Sequence, residues 1–364
     1  MKKNKIDVHI GAAELKSAST VEVTSKDGTK QTLTAKNIVV ATGAQAGTPP
    51  GLALDGKKVV SYWEAILQET LPASVVVIGG GAIGVEFATV WNAYGADVTV
   101  VEMLPRIVPL EDEDVSKELA KEFTKKGIQV KAGTKFESID ISGEKVKVTV
   151  SGSSGSETLE ADQVLVATGF KPNSRGIGLE AVGVKTNQRG FIEIDDGMRT
   201  NIPGVWAIGD VTGKLLLAHV GSAQGIVCAE TVAGHSTVVL DYDMMPRATY
   251  CQPQVASFGY TEAQAKEKGY EVKTAKFNFQ ANGKALGLGD YAGWVKIVTD
   301  AKYGEILGAH MIGPEVTELL PELTLAHNLE LTAEEIARNV HAHPTLSEVI
   351  MEAAHGLTGG YIHM

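Results

Sequence analysis

Cysteine is scarce: Cys228 and Cys251 are the only two in 364 residues. They make neither a disulfide scaffold nor a CxxC pair. Their separation leaves a long-range bridge open, and two buried free thiols in a reducing compartment are the expectation. Excess positive charge is also missing. The formal net charge is −11, and beyond Lys2-Lys3-Asn4-Lys5 no basic run stands out. A surface that tracks nucleic-acid phosphates is therefore not expected. No apolar run has the length of a transmembrane helix, and no apolar signal-peptide core follows the basic start. The chain reads as cytoplasmic, with no membrane partner. What the sequence has in quantity is glycine, 40 residues, within an ordinary 44% hydrophobic and 21% charged composition. The length allows two or three domains. Glycines gathered at the ends of apolar runs suit an α/β protein whose strands end in nucleotide-contacting turns.

Along the chain, residues 6–42 read as β-rich. Strands are expected at residues 6–10, 20–23 and 31–34, with Lys26-Asp27-Gly28 as a hairpin turn. A buried strand, Ile38-Val39-Val40-Ala41, runs into Thr42-Gly43. Thr48-Pro49-Pro50-Gly51 reads as a linker, and a helix is expected around residues 63–68. From Ser74 the pattern is βαβαβ: strand 75–78, a helix to Tyr94, strand 97–102, a charged amphipathic helix over 112–126, and strand 128–131. Such a parallel sheet needs cover on both faces. Residues 152–155 read as a polar hairpin tip. The strand at 163–166 ends in Ala167-Thr168-Gly169, repeating Ala41-Thr42-Gly43, which suggests two related nucleotide-binding modules. After Pro246 the texture is an antiparallel sheet, with strands near 250–259, 271–279, 293–299 and 305–312. Helices are expected near 315–329, 333–339 and 345–354.

The strongest local signal is Gly79-x-Gly81-x-x-Gly84, which follows a strand and opens a helix. The first glycine permits a tight turn, the second lets backbone approach a pyrophosphate, and the third allows close helix–strand packing. The helix N-terminus offers unpaired N–H groups to the phosphates. Glu102, ending the second strand, would accept from adenosine ribose hydroxyls and repel a 2′-phosphate, favouring NAD over NADP. A glycine turn that serves packing alone is the plainer alternative. Val205-Trp206-Ala207-Ile208-Gly209-Asp210 places a carboxylate at a strand end, suited to a ribityl hydroxyl, although Gly-Asp also makes ordinary turns.

His341-Ala342-His343-Pro344-Thr345-Leu346-Ser347-Glu348 carries the acid–base signal. Pro344 stops any preceding helix and Thr345 is the expected N-cap of the next. Glu348, on the early turns, would reach back to His343, orient its ring and raise its basicity. Metal ligation by His-x-His, or a purely structural cap, are the competing readings. No metal site is expected.

Together these motifs resemble the dihydrolipoamide dehydrogenases, flavin-dependent members of the pyridine nucleotide-disulfide oxidoreductases, and the resemblance runs along essentially the whole chain. It rests on Ala41 to Gly43, Gly79 to Glu86, Glu102, Ala167 to Gly169, Gly209-Asp210, Leu216 to His219, and His341 to Glu348, the last being the most specific. The resemblance implies an α/β fold with a Rossmann-type NAD-binding domain, a remnant of a second Rossmann-like flavin domain, and a C-terminal α+β dimerisation domain. The expected boundaries are 1–48 for the flavin remnant, 49–170 for NAD binding, 171–243 for the flavin domain's return, and 244–364 for dimerisation. It implies an NAD site at Gly79, Gly81, Gly84, Glu86, Glu102, Phe136 and Gly169, with Phe136 contributing main chain. It implies FAD contacts at Ala13, Thr42, Gly43, Asp210, Leu216, Leu217, Ala218 and His219. His343 would be the acid–base group and Glu348 its orienting partner. The expected assembly is a homodimer in which that histidine enters the partner subunit's site, with 2-oxo acid dehydrogenase complex components as further partners.

The resemblance also implies a departure. Family members begin with a flavin-binding βαβ unit and a Cys-x4-Cys redox pair, a piece of roughly a hundred residues, about the size of a Rossmann half. This sequence reads as starting after both, and the spacing of Cys228 and Cys251 is not that of the redox pair. Three functions follow as expectations: a dihydrolipoamide dehydrogenase whose missing half comes from another polypeptide, a flavin-free NAD(H)-dependent reductase of another acceptor, or a non-catalytic, dimeric NAD-binding module.

Overall fold

Four consecutive β-branched side chains, Val75, Val76, Val77 and Ile78, favour the pleated backbone, and all four are buried in the strand Ser74–Ile78. This strand is central to a five-stranded parallel sheet, between Gln163–Val166 and Asp97–Glu102, with Val59–Val60 and Gln129–Ala132 at the edges. The structure, a computed structural model, describes residues 1–153 and 155–363. The chain divides into two compact units, Met1–Gln45 with Phe170–Tyr242, and Ala46–Gly169 with Asp243–Met364.

In the second unit the two faces of the parallel sheet are covered differently. Val75, Val77, Val98, Val100 and Leu165 pack with the helices Ala82–Ala93 and Glu113–Lys125. The alternate residues Val76, Ile78, Val101, Val164 and Val166 pack instead on Val146, Val148 and Val150 of a three-stranded meander. That meander, Lys135–Asp140, Val146–Gly152 and Gly155–Ala161, is antiparallel. Ser154, inside the expected hairpin tip, lies outside the described residues. One face thus has helical cover and the other has a sheet, both satisfying the need to bury a parallel sheet.

Residues 243–363 build a five-stranded antiparallel sheet in the order Arg247–Thr249, Gln254–Gly259, Ile306–Gly313, Trp294–Asp300, Val272–Asn278. One face packs under Val316–Asn328, Ala333–Arg338 and Glu348–Thr358, with Phe258, Phe277, Leu320, Leu323, Val349 and Ile350 in the core. Elsewhere on this sheet Val255, Trp294 and Ile312, with Cys251 from the connection before Gln254, share a hydrophobic cluster with Val77, Val85 and Trp91. The register also aligns Arg247, Ser257, His310, Lys296 and Lys276 in a row across all five strands. Residues directly opposite in antiparallel pairs share a face. Buried Lys296 in this row reaches Asp112 at 2.6 Å and Asp114 at 3.1 Å, at the start of the helix Glu113–Lys125. His310 is enclosed, with Nε2 at 3.0 Å from the Tyr260 carbonyl, and burial holds it below the usual imidazole range.

The first unit holds a small antiparallel sheet, Ala12–Ser17, Thr20–Thr24 and Lys30–Thr34, and a parallel pair, Ile38–Val40 with Val205–Ala207. Its core includes Leu15, Ile38, Val40, Leu179, Ile192 and Val205. Expectation and structure differ here at two places. Residues 6–10 form no strand and are exposed, because their alternating side chains meet no pairing strand among the described residues. Val39 is not buried: Ile38 and Val40 face the core, while Val39 on the opposite side of the strand is 44% exposed. The helix expected from 345 begins later, at Glu348 after the N-cap residue Ser347. Short elements that escaped the sequence reading include the strands Ala12–Ser17, Ala44–Ala46, Val59–Val60 and Phe170–Pro172 and the helices Leu179–Val182, Glu262–Glu267 and Gly283–Leu288.

Candidate functional site

At the carboxyl end of the parallel sheet, each glycine of the turn has its own physical reason. Gly79 adopts φ +109°, and a Cβ there would lie 2.4 Å from the Ala167 carbonyl oxygen. A Cβ on Gly84 would lie 1.9 Å from the Gly79 carbonyl oxygen, so the helix Ala82–Ala93 can approach its strand only without one. At Gly81 a Cβ would meet nothing within 4 Å, which leaves open space at the helix N-terminus. A phosphate needs that combination, close backbone around an unfilled approach to free N–H groups.

Glu102 is buried at the end of the adjacent strand. Its Oε2 accepts from Gly80 N–H at 2.7 Å and its Oε1 from Leu104 N–H at 2.8 Å. The carboxylate therefore orders the glycine turn itself, and each oxygen keeps a lone pair for another donor. The Glu102 carbonyl accepts from Thr134 N–H at 2.9 Å, which ties the approach to Phe136 to the same corner. Phe136 pairs with Val150 and turns its ring towards the meander core. Gly169 follows the strand Gln163–Val166 at φ +114° and accepts from Gly47 N–H at 2.8 Å. Glu86 is directed elsewhere. Its Oε1 accepts from Tyr250 N–H at 2.7 Å, and burial outweighs that bond and raises its carboxyl above the usual range.

In the first unit a pocket of about 420 Å³ is lined by Ala41, Gly43, Gly209, Asp210, Leu217 and Ala218, among others. Burial lifts the Asp210 carboxyl above the usual aspartate range. Thr42 donates from Oγ1 to the Asn173 carbonyl at 2.7 Å, as Thr168 Oγ1 in the second unit donates to the Gly47 carbonyl at 3.2 Å. The two Ala-Thr-Gly strand ends thus share a local geometry as well as a sequence. Leu217 is the N-cap residue of the helix Ala218–Ala233. Leu216 and His219 flank the pocket without being among its lining residues, and Ala13 lies in the exposed strand Ala12–Ser17. Ile208, Gly221, Ser222 and Gly225 also line it and were missed. The Gly221-x-x-x-Gly225 spacing, one small-residue face of a helix, was the available signal.

The expected contact between His343 and Glu348 is formed. His343 Nδ1 lies 2.9 Å from Glu348 Oε1, and Glu348 Oε2 accepts from Thr345 N–H at 2.8 Å. Burial pushes Glu348 up, but the Thr345 N–H and the His343 ring outweigh it and leave the carboxyl below its usual range. An ionised Glu348 holds the proton on Nδ1 and leaves the His343 Nε2 lone pair free, on a side chain that is 77% exposed. His341 does not join His343: its ring turns to Glu322. Among the described residues no cluster of three His, Cys, Asp or Glu side chains could hold a metal ion. Cys228 and Cys251 are both buried and free, and burial raises both thiols above their usual range. No helix among the described residues is long and apolar enough to cross a membrane.

Fold and site together define a nucleotide-dependent oxidoreductase. The chain belongs to the pyridine nucleotide-disulphide oxidoreductase family, whose model matches residues 1–225, with the family's dimerisation domain matching 245–354. More particularly, it is similar to dihydrolipoyl dehydrogenases. It is 53% identical to the Mycobacterium leprae protein of that name, over 100% of this chain and 78% of that protein. It is 52% identical to the Corynebacterium glutamicum one, with the same coverage. Among solved structures, LpdA from Mycobacterium tuberculosis superposes with a TM-score of 0.87 at 27% identity, over 97% of this chain and 75% of that one.

Proposed function

We propose that this chain performs the nicotinamide-binding and proton-handling parts of a dihydrolipoamide dehydrogenase reaction. One observation carries the reading: the Gly79–Gly81–Gly84 turn leaves open space at a helix N-terminus beside a buried carboxylate. NAD fits this corner, with the Gly81 N–H and the helix end meeting the pyrophosphate and Glu102 meeting a ribose. Gly169 and the Phe136 main chain complete the proposed NAD site, and Glu86 supports it through Tyr250. FAD is assigned to the pocket around Asp210, with Thr42, Gly43, Leu216, Leu217, Ala218 and His219 beside it and Ala13 at the margin. When bound, the two cofactors supply the hydride relay between dithiol and nicotinamide.

The chain's own residues then have simple tasks. Glu348 keeps Nδ1 of His343 protonated, so Nε2 accepts a proton from a substrate thiol and returns it later. Thr345 N–H holds Glu348 in place for this. The dimerisation domain supports a homodimer in which the exposed His343 serves the partner subunit, and a cytoplasmic 2-oxo acid dehydrogenase complex is the matching setting. The dithiol–disulfide exchange needs an accessible cysteine pair, and the two buried thiols here do not supply one. That observation favours, as a second reading, a module that binds NAD(H) without turning over lipoamide by itself.

Fluorescence titration with NADH and NADPH tests the reading, alongside visible absorbance before and after adding flavin. NADH binding with strong preference over NADPH is expected, and Glu102→Ala narrows that preference about tenfold, roughly 1.4 kcal/mol. A ratio unchanged by the substitution would sink the Glu102 assignment. Bound flavin with lipoamide turnover supports the first reading; NADH binding by a colourless, inactive protein supports the second.

A further inference from the structure

The ring of His341 has no part in the proton handling described above, yet it is more firmly held than that of His343. Its side chain is 4% exposed. Nε2 lies 2.8 Å from Glu322 Oε1, and Nδ1 lies 2.8 Å from the Asn339 carbonyl oxygen. A backbone carbonyl can only accept, and so can a carboxylate. A neutral imidazole carries one N–H and can meet one of these partners; meeting both takes the imidazolium form. Asn339 Nδ2 donates to the same Glu322 oxygen at 3.3 Å, so the carboxylate gathers two donors from one loop.

The loop matters because residues 339–347 form neither helix nor strand. On the far side of His343 it is fixed by Asn282 Nδ2, which donates to the Thr345 carbonyl at 3.0 Å, and by Glu348. On the near side, side-chain tethering falls to Asn339 and His341, both on Glu322 of the helix Val316–Asn328. The charged groups acting on His341 are Glu322 from that helix and Glu348 from the helix Glu348–Thr358. The Glu322 hydrogen bond raises its pKa, burial opposes this, and the Glu322 and Glu348 charges with the Asn339 carbonyl add to the rise.

We infer that His341 is a positioning residue: by donating from both ring nitrogens it ties the Asn339 carbonyl of the His343 loop to Glu322, a link that is whole only while the ring is doubly protonated. The inference rests on His343 being the acid–base group. Neutralising His341 frees either the Asn339 carbonyl or Glu322, and the near-side anchor of the His343–Glu348 pair is reduced to one ring N–H and the Asn339 amide. The sign follows from a folded pKa raised above the ordinary 6.5. The clamp is complete below that ordinary value and is lost as pH rises through the raised one.

Histidine ring NMR on the full chain, from about pH 5 to pH 9, tests this. His341 should titrate above the ordinary midpoint, and the His343 signal should show a second inflection at that same pH. Glu322→Gln should lower the His341 midpoint by about one pH unit, a tenfold loss in proton affinity, and carry the second inflection with it. His341→Gln should remove the second inflection. A single His343 inflection in the unmodified chain overturns the proposal, as does a second inflection that survives His341→Gln. The unmodified chain alone decides if the variants do not fold. NADH titration of the same samples, and the effect of His343→Gln on turnover in the flavin-loaded enzyme, report on the functional reading without touching these curves.

Discussion

Gly81 and Gly84 lie three residues apart but serve opposite steric purposes. At Gly84 a methyl would strike backbone, and at Gly81 it would enter open space. Gly84→Ala is therefore expected to cost about 3 kcal/mol of stability, the upper range for overpacking a close contact. Gly81→Ala should fold with a loss of no more than about 1 kcal/mol, since its φ of −76° suits alanine but alanine is a poorer N-cap than glycine. It should nonetheless weaken NADH binding about tenfold, 1.4 kcal/mol, by occupying the phosphate approach. Urea melts and NADH titrations on both variants check the contrast. Equal losses of stability would show that the space at Gly81 is not free.

At the scale of elements, the seam between the helix Glu113–Lys125 and the antiparallel sheet depends on Lys296. The pair Lys296–Asp112 is almost wholly enclosed, with side chains 7% and 6% exposed. Asp112 is also the N-cap of that helix, accepting from Asp114 N–H at 3.0 Å. Lys296→Met leaves a buried carboxylate with no cation at its Oδ1 and is expected to cost about 3–5 kcal/mol. Adding Asp112→Asn should recover part of this, because the amide oxygen still caps the helix without a charge to bury. Chemical denaturation of the single and double variants measures both effects. A single-variant loss below 1 kcal/mol would mean that Lys276 or water compensates.

The elements most legible in the sequence are those whose cause is local. The parallel strands announce themselves by apolar runs, the glycine turn by three residues each with a separate steric task, and the His343–Glu348 pair by a spacing of five across one helix start. What could not be read depends on distant partners. Val59–Val60 is a strand only because Val164 and Leu165 lie beside it. Residues 6–10 alternate like a strand, but alternation needs a pairing neighbour to become one. Thr345 looks like the N-cap, yet its N–H is taken by Glu348 and the cap falls to Ser347. Glu322 could not be linked to His341 at all, for 19 residues and a helix end separate them.

For the molecule as a whole, association is the expectation that the dimerisation domain brings. Val340, beside the clamp residue, is 92% exposed in the single chain, and Leu325, Leu329, Tyr250 and Tyr303 are each at least 60% exposed. Sedimentation is expected to show a dimer; a stable interface of that kind buries more than about 1,000 Å² in total. Val340→Glu should shift it towards monomer, as expected where a dimer covers so exposed an apolar side chain. A monomer in the unmodified protein would remove the basis for an acid–base group serving a second subunit.

The row Arg247, Ser257, His310, Lys296 and Lys276 sets a rule for anyone recombining these modules. Its two lysines, matched by Asp112 and Asp114, act as a key that fits one lock. Splicing this C-terminal sheet region onto a nucleotide domain without those acids would strand an enclosed lysine, whatever the quality of the apolar fit. A chimera should therefore inherit the acidic helix start along with the sheet, as one heritable cassette.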